Sequence, residues 1–134
     1  MRFDHQRQKV TLEELLRRID KDTLAKNIRR FGGERFAGPI SRNILKYVNS
    51  SKVSQVSGLV KFISESQPAF YRRKIFRHPA KRTFQALRIM VNNELEELQK
   101  GIKRALDSLP LGGKMAVIYF HSLEGKIVIG EVKR

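Results

Sequence analysis

Between Glu65 and Glu94 the chain carries seven Lys or Arg and no acid. The run Phe70-Tyr71-Arg72-Arg73-Lys74-Ile75-Phe76-Arg77-His78-Pro79-Ala80-Lys81-Arg82 interleaves cations with aromatics. Arg72, Arg73, Lys74, Arg77, Lys81 and Arg82 can neutralise phosphates, with His78 among them, and Phe70, Tyr71 and Phe76 can stack on unpaired bases. A solvated basic loop pinned by its aromatics would have a similar composition. The missing acids, together with the charge of the whole chain, tip the reading towards RNA contact.

Two further constellations have spacings that matter. Gln85, Arg88 and Asn92 stand three and four apart, so a helix places them on one face, able to hydrogen-bond a base or a phosphate. His121 and Ser122 directly follow the apolar run Met115–Phe120. In open α/β sheets, residues just past the carboxyl end of a strand line the ligand crevice. Sequence neighbours do not make a nucleophile–base pair, and no orienting carboxylate is evident, so a binding role at an active-site edge is favoured over a covalent one. Gly112 and Gly113 precede that run rather than joining a strand to a helix, which makes them a turn and not a phosphate cradle.

The chain's charge fits a polyanion partner. Its 28 Lys and Arg outnumber 13 Asp and Glu, for a formal +15 over 134 residues. Solubility alone asks for a magnitude of only about 2–8 in a small domain. Such an excess points to nucleic acid or an anionic surface. A hydrophobic fraction of 40% argues for a packed core. The absence of cysteine excludes disulfides and thiolate chemistry. His5, His78 and His121 are too scattered for a metal cluster. No apolar run approaches the ~20 residues of a membrane span, and the N-terminus lacks a signal-peptide pattern. The expectation is a cytoplasmic protein with no membrane association and no metal.

The elements that must position these residues read mostly as helices. Thr11 and Glu14 form a capping-box pattern ahead of a first helix. Leu24, Ile28 and Phe31 share a face of a second, stopped by Gly32-Gly33. A third is expected from Pro39, as its first residue, to Val48. Val56, Leu59, Val60 and Ile63 mark a fourth. Residues 64–82 show no periodicity and carry two prolines, and read as a basic loop. Phe84, Leu87, Val91, Leu95, Leu98, Ile102 and Leu106 form one sustained stripe, read as a single long helix that Gly101 weakens. After the turn at Leu109–Gly113, residues 115–120 read as a strand buried on both faces, which needs a pairing partner.

In order along the chain, these segments resemble the bacterial small-subunit (16S) ribosomal RNA cytosine-N4 methyltransferases. The resemblance rests chiefly on His78-Pro79-Ala80-Lys81-Arg82-Thr83-Phe84-Gln85-Ala86-Leu87-Arg88-Ile89, continuing through Val91-Asn92 and Glu94-Leu95, and on Phe120-His121-Ser122-Leu123-Glu124. Met1–Asp4 and Gly33-Glu34-Arg35-Phe36-Ala37 are similar to two shorter family segments. Departures gather at the C-terminal end, where Gly125 replaces an aspartate and Ile127-Val128-Ile129-Gly130 replaces a basic helix. Residues alone leave 121–132 open between a helix and the second strand of a hairpin, with a turn at Glu124-Gly125.

The resemblance implies a mainly α protein with a small β element. Residues 1–80 would be a helical RNA-binding insertion. Residues 81–134 would be the returning long helix, the strand at 115–120 and the C-terminal part of a class I, Rossmann-like methyltransferase domain. The family's glycine-rich loop, the acid on its next strand and its Pro-Pro-aromatic motif have no counterpart here. The implied object is therefore a fragment or split member contributing rRNA binding. S-adenosylmethionine would serve the complete enzyme, in direct transfer to a cytidine amine, and is not expected to bind this chain alone, which is expected to be inactive. The implied partners are small-subunit rRNA or the ribosomal subunit, and a second polypeptide or copy pairing with strand 115–120. The competing reading is a non-catalytic RNA-binding or ribosome-associated module of the same descent.

Overall fold

Residues 10–50, 56–74 and 78–133 are described by the computed structural model, and every regular element among them is a helix. They fall into two compact units divided between Asn92 and Asn93.

The described residues of the first unit form six helices. α1 (Leu12–Arg18) starts at the expected capping box: Thr11 Oγ1 accepts from the Glu14 N–H at 3.2 Å, and Glu14 Oε2 accepts from the Thr11 N–H at 2.7 Å. α2 (Lys21–Gly32) is capped by Asp20 and closed by Gly33, whose φ of 63° suits a residue without Cβ. α3 (Ala37–Asn49) begins two residues before Pro39. Proline still fits, because a third-position N–H has no intrahelical acceptor. α4 (Val56–Glu65) follows, then α5 (Ala69–Lys74) and α6 (Lys81–Asn92).

Leu24, Ile28, Ile40, Ile44, Val48, Ile63 and Leu87 are fully buried in one core built from α2, α3, α4 and α6. Burying a side chain of this size stabilises by about 1.5–3 kcal/mol before entropy is counted. α2 and α6 approach closely at Gly32, where a Cβ would collide with the Arg82 carbonyl.

The second unit pairs α7 (Glu94–Asp107) with α8 (Ser122–Val132). Ile102 and Val128 are buried within it, and Gln99 Nε2 donates to Glu131 Oε1 at 2.7 Å.

Four expectations are corrected here. Residues 64–82 are not one loop: α4 runs to Glu65, α5 occupies Ala69–Lys74 and α6 starts at Lys81. A six-residue helix spans fewer than two turns, too short to leave a periodic signal. The single long helix is two, because Asn93 adopts a left-handed φ of 50° and ψ of 38°. Its stripe continues through the break because spacings of three and four do not register one reversed residue.

The small β element is absent: residues 115–120 form neither strand nor helix, and no strand occurs among the described residues. Strand formation requires a second backbone to accept and donate, and no described segment offers one. Ile118 and Phe120 are 84% and 92% exposed, not buried on two faces. The expectation of a second polypeptide or copy pairing there rested on that strand. The hairpin alternative falls with it, since residues 122–132 are helical. His121 is the N-cap of α8, and Glu124 Oε2 reaches back to the Phe120 N–H at 2.9 Å. That acid near the helix start offsets the β-branched run that suggested a strand.

Candidate nucleic-acid interface

The described sequence-predicted cations lie on α5 and on α6, within the first unit. Arg72, Arg73 and Lys74 form the exposed last turn of α5, and Lys81 is the exposed first residue of α6. None of the four side chains has an acidic or hydrogen-bonding partner among the described residues. By contrast, Arg17, Lys21, Lys61 and Lys100 each sit within 4 Å of a carboxylate on their own or an adjacent turn. Local acids therefore neutralise those four cations, and none among the described residues neutralises Arg72, Arg73, Lys74 or Lys81. Phe70, beside Arg72 on α5, is 63% exposed. Arg77, Ile75 and Phe76 lie outside the described residues, as does Met1–Asp4.

Tyr71 sets the position of α5. Its ring meets Phe36 edge-on, with centroids 4.7 Å apart and planes at 69°. Its hydroxyl accepts from an Arg82 guanidinium nitrogen at 3.1 Å, and the same nitrogen lies 3.3 Å from the Gly33 carbonyl. Arg82 thus holds α5 and the end of α2 against α6 and has less freedom to meet a phosphate than its neighbours. His78 accepts the Ala80 N–H on Nδ1 at 3.2 Å, which leaves Nε2 outward on an exposed ring.

Gln85, Arg88 and Asn92 share α6 but not an open face. Gln85 donates to the Phe31 carbonyl at 2.9 Å. Arg88 is half-buried, Asn92 is buried, and each has a partner within the protein.

A cleft of about 190 Å³ opens where α2 ends against α6, lined by Gly32, Glu34, His78, Pro79, Lys81, Arg82 and Gln85. Glu34, only 1% exposed, was not singled out from sequence, nor was Gln67, 2% exposed. Glu34 Oε1 accepts the Phe36 N–H at 3.0 Å and Oε2 accepts Gln67 Nε2 at 3.2 Å, while Gln67 Nε2 also donates to the Pro79 carbonyl at 3.0 Å. The nearest signal in the chain is the Gly32-Gly33 stop, which fixes where the next side chain must turn inward.

His121 and Ser122 belong to the second unit. His121 Nε2 lies 3.2 Å from Glu124 Oε1, close enough for an ion pair when the ring is charged but out of line for a hydrogen bond. Ser122 is exposed and makes no hydrogen bond to His121, so the pair lacks the geometry of an activated nucleophile.

No group of three potential ligands among the described residues could hold a metal ion. The described residues also do not fit S-adenosylmethionine: no glycine turn joins a strand to a helix, and the one buried acid is engaged by Phe36 and Gln67. No described helix is long and apolar enough to cross a membrane.

A model of the MraW methylase family matches residues 1–134. Among curated proteins, the chain is 44% identical to a ribosomal RNA small subunit methyltransferase H from Cutibacterium acnes, over 88% of this chain and 35% of that one. It is 43% identical to the protein of that name from Methylococcus capsulatus, over 90% of this chain and 39% of that one. A third, from Mycobacterium bovis, is 42% identical over 89% of this chain and 30% of its own length. The chain therefore spans between three and four tenths of the curated relatives it matches.

Proposed function

The chain belongs to the MraW methylase family, and from that premise we propose that its first unit holds small-subunit ribosomal RNA for methylation. The observation that supports this is the set of four exposed cations, Arg72, Arg73, Lys74 and Lys81, with no acidic partner among the described residues and with Phe70 exposed beside them. Unpaired cations attract phosphates through counterion release, and an exposed aromatic ring accepts an unstacked base. His78 and Arg82 border the same face. Arg77, placed there by sequence alone, would extend it, and Arg88 and Asn92 are assigned a positioning role on α6.

The proposed reaction of the whole protein is methylation of a cytidine amine in that RNA, with S-adenosylmethionine supplying the methyl group. The location proposed with it is the cytoplasm. For this chain, RNA holding is the contribution its residues support, because they do not fit the cofactor.

Salt titration of binding to a small-subunit rRNA fragment tests the reading. Replacing Arg72, Arg73, Lys74 and Lys81 by Ala should lower affinity and flatten the dependence on salt by about 0.7–0.9 logarithmic units per lost phosphate contact. Unchanged affinity and slope would remove the assignment. The non-catalytic alternative is favoured by the poor fit to the cofactor, and calorimetry with S-adenosylmethionine addresses it. No heat of binding is expected from this chain, and micromolar binding would overturn that expectation.

A further inference from the structure

We propose that the cleft between the start of α2 and the last turns of α3 is a second phosphate contact for the RNA strand held at α5 and α6. The inference deepens the RNA-holding reading and rests on it.

The sequence supplies the charge. Between Glu34 and Glu65 the chain carries five Lys or Arg and no acid. Two of these cations, Arg42 and Lys46, lie four apart on α3, and Asn49 follows three further on, so the three share one face. With Lys21, Leu45 and Ser50 they line a shallow cleft of about 490 Å³, and no acid is among its lining residues. Arg42, Lys46 and Asn49 are exposed, and among the described residues none of their side chains has an acidic or hydrogen-bonding partner. Lys21 lies 3.5 Å from Asp22, in a solvent-exposed pair that restrains its ammonium little.

The helix end accounts for only part of this charge. A cation in a last turn complements the carbonyls there, which suits Lys46. Arg42 stands a full turn earlier, outside the range of that effect. The same carbonyls would repel an anion, but the Ser50 N–H and hydroxyl already donate to those of Lys46 and Tyr47. A phosphodiester brings two acceptor oxygens and no donor, which matches two cations and an amide. Half-buried Leu45 offers apolar surface to the adjoining sugar or base. It is the one apolar residue lining the cleft, too little to insert into a bilayer.

Position ties this contact to the first. Lys21 opens α2 and Gly32 closes it beside Lys81 and Arg82, about 18 Å away along a 12-residue helix. Lys21, Arg29 and Gly32 recur on one stripe of α2, and Arg29 is exposed between the two ends. Cationic clusters at both ends of one helix can engage a single strand, and once the first is occupied the second contact is intramolecular.

Salt titration of the full chain with a small-subunit rRNA fragment tests the second contact. Arg42→Ala with Lys46→Ala should lower affinity and reduce the salt slope by about 1.4–1.8, the loss of two phosphate contacts. Lys61→Ala with Lys100→Ala removes the same formal charge from cations already paired with Glu65, Glu96 and Glu97, and should leave the slope nearly unchanged. Arg42→Lys with Lys46→Arg keeps both charges and should bind as the parent does, which separates charge from any effect on folding. Parent-like binding by the Arg42 and Lys46 Ala pair, while Ala at Arg72, Arg73, Lys74 and Lys81 weakens it, would overturn the second contact and leave RNA holding intact. An equal loss in the Lys61 and Lys100 pair would overturn it as an effect of net charge alone. Unchanged binding in every variant would overturn both readings. If the Arg42 and Lys46 Ala pair keeps its RNA affinity and loses binding to phosphatidylserine vesicles, the partner is a membrane surface and the proposal fails.

Discussion

The side-chain amide of Gln85 donates to the main-chain carbonyl of Phe31 at 2.9 Å, across 54 residues of sequence. Phe31 lies in the last turn of α2, where carbonyls have no acceptor role left inside the helix. Gln85 therefore acts as a remote C-terminal cap, beside the Gly32 contact that brings α2 against α6. Gln85→Leu should destabilise the first unit by about 1–3 kcal/mol, the cost of leaving a partly buried carbonyl unmet. Urea denaturation of the two proteins would measure it.

Asn93 separates α6 from α7 with a φ of 50°. A β-branched residue resists that conformation, and Asn93→Val should cost about 1–2 kcal/mol. Asn93→Gly should be tolerated, because glycine accepts the left-handed region and only the side-chain contact to Glu96 is lost. Thermal melts followed by circular dichroism would separate the two variants, and equal melting temperatures would count against strain at this position.

The hydroxyl of Thr23, and next its backbone N–H, hold the Asp20 carboxyl below its ordinary value. This stabilisation is complete above the unfolded value near 3.9 and disappears as pH falls through the lower folded value. Asp20→Asn keeps a capping oxygen that does not titrate. The variant should match the parent near neutrality and lose stability less steeply below about pH 4. Parallel acid titrations of unfolding would show it.

Leu87 is fully buried where α6 meets the core. Leu87→Ala should cost about 2–5 kcal/mol through lost transfer energy and the cavity left behind. The combined Ala replacement of Arg72, Arg73, Lys74 and Lys81 should instead leave the melting temperature nearly unchanged, since these side chains have no described partner to lose. A large drop would reveal a structural role for the cluster.

How much of this was legible before folding depends on the range of each interaction. Thr11 and Glu14 lie within one turn of each other, and Gly32-Gly33 ends the helix it follows, so both boundaries were readable. The buried stripe Leu24, Ile28 and Ile44 follows from helical period. Asn93 was not readable as a break, because an asparagine passes unnoticed inside an apolar rhythm. Met115–Phe120 has the composition of an inner strand, yet composition supplies no second backbone. The burial of Glu34 depends on Gln67, 33 residues away, and on Pro79, held through Gln67. The unpaired state of Arg72, Arg73 and Lys74 was foreshadowed by the missing acids, whereas the restraint of Arg82 by Tyr71 and Gly33 arises only once α5 and α2 meet.

The bared ribbon from Met115 to Phe120 bears on solubility more than on folding. Four β-prone residues in a row, Val117 to Phe120, preceded by Met115 and Ala116, make an uncharged, proline-free segment of the kind that zips to its like when copies meet. Ile118 and Phe120 stand in water rather than in a core, so replacing either with lysine sacrifices little packing and adds a gatekeeper charge. Turbidity on concentrating the protein should fall for Ile118→Lys with no loss of melting temperature, and the many positive charges elsewhere will slow such clustering most at low ionic strength.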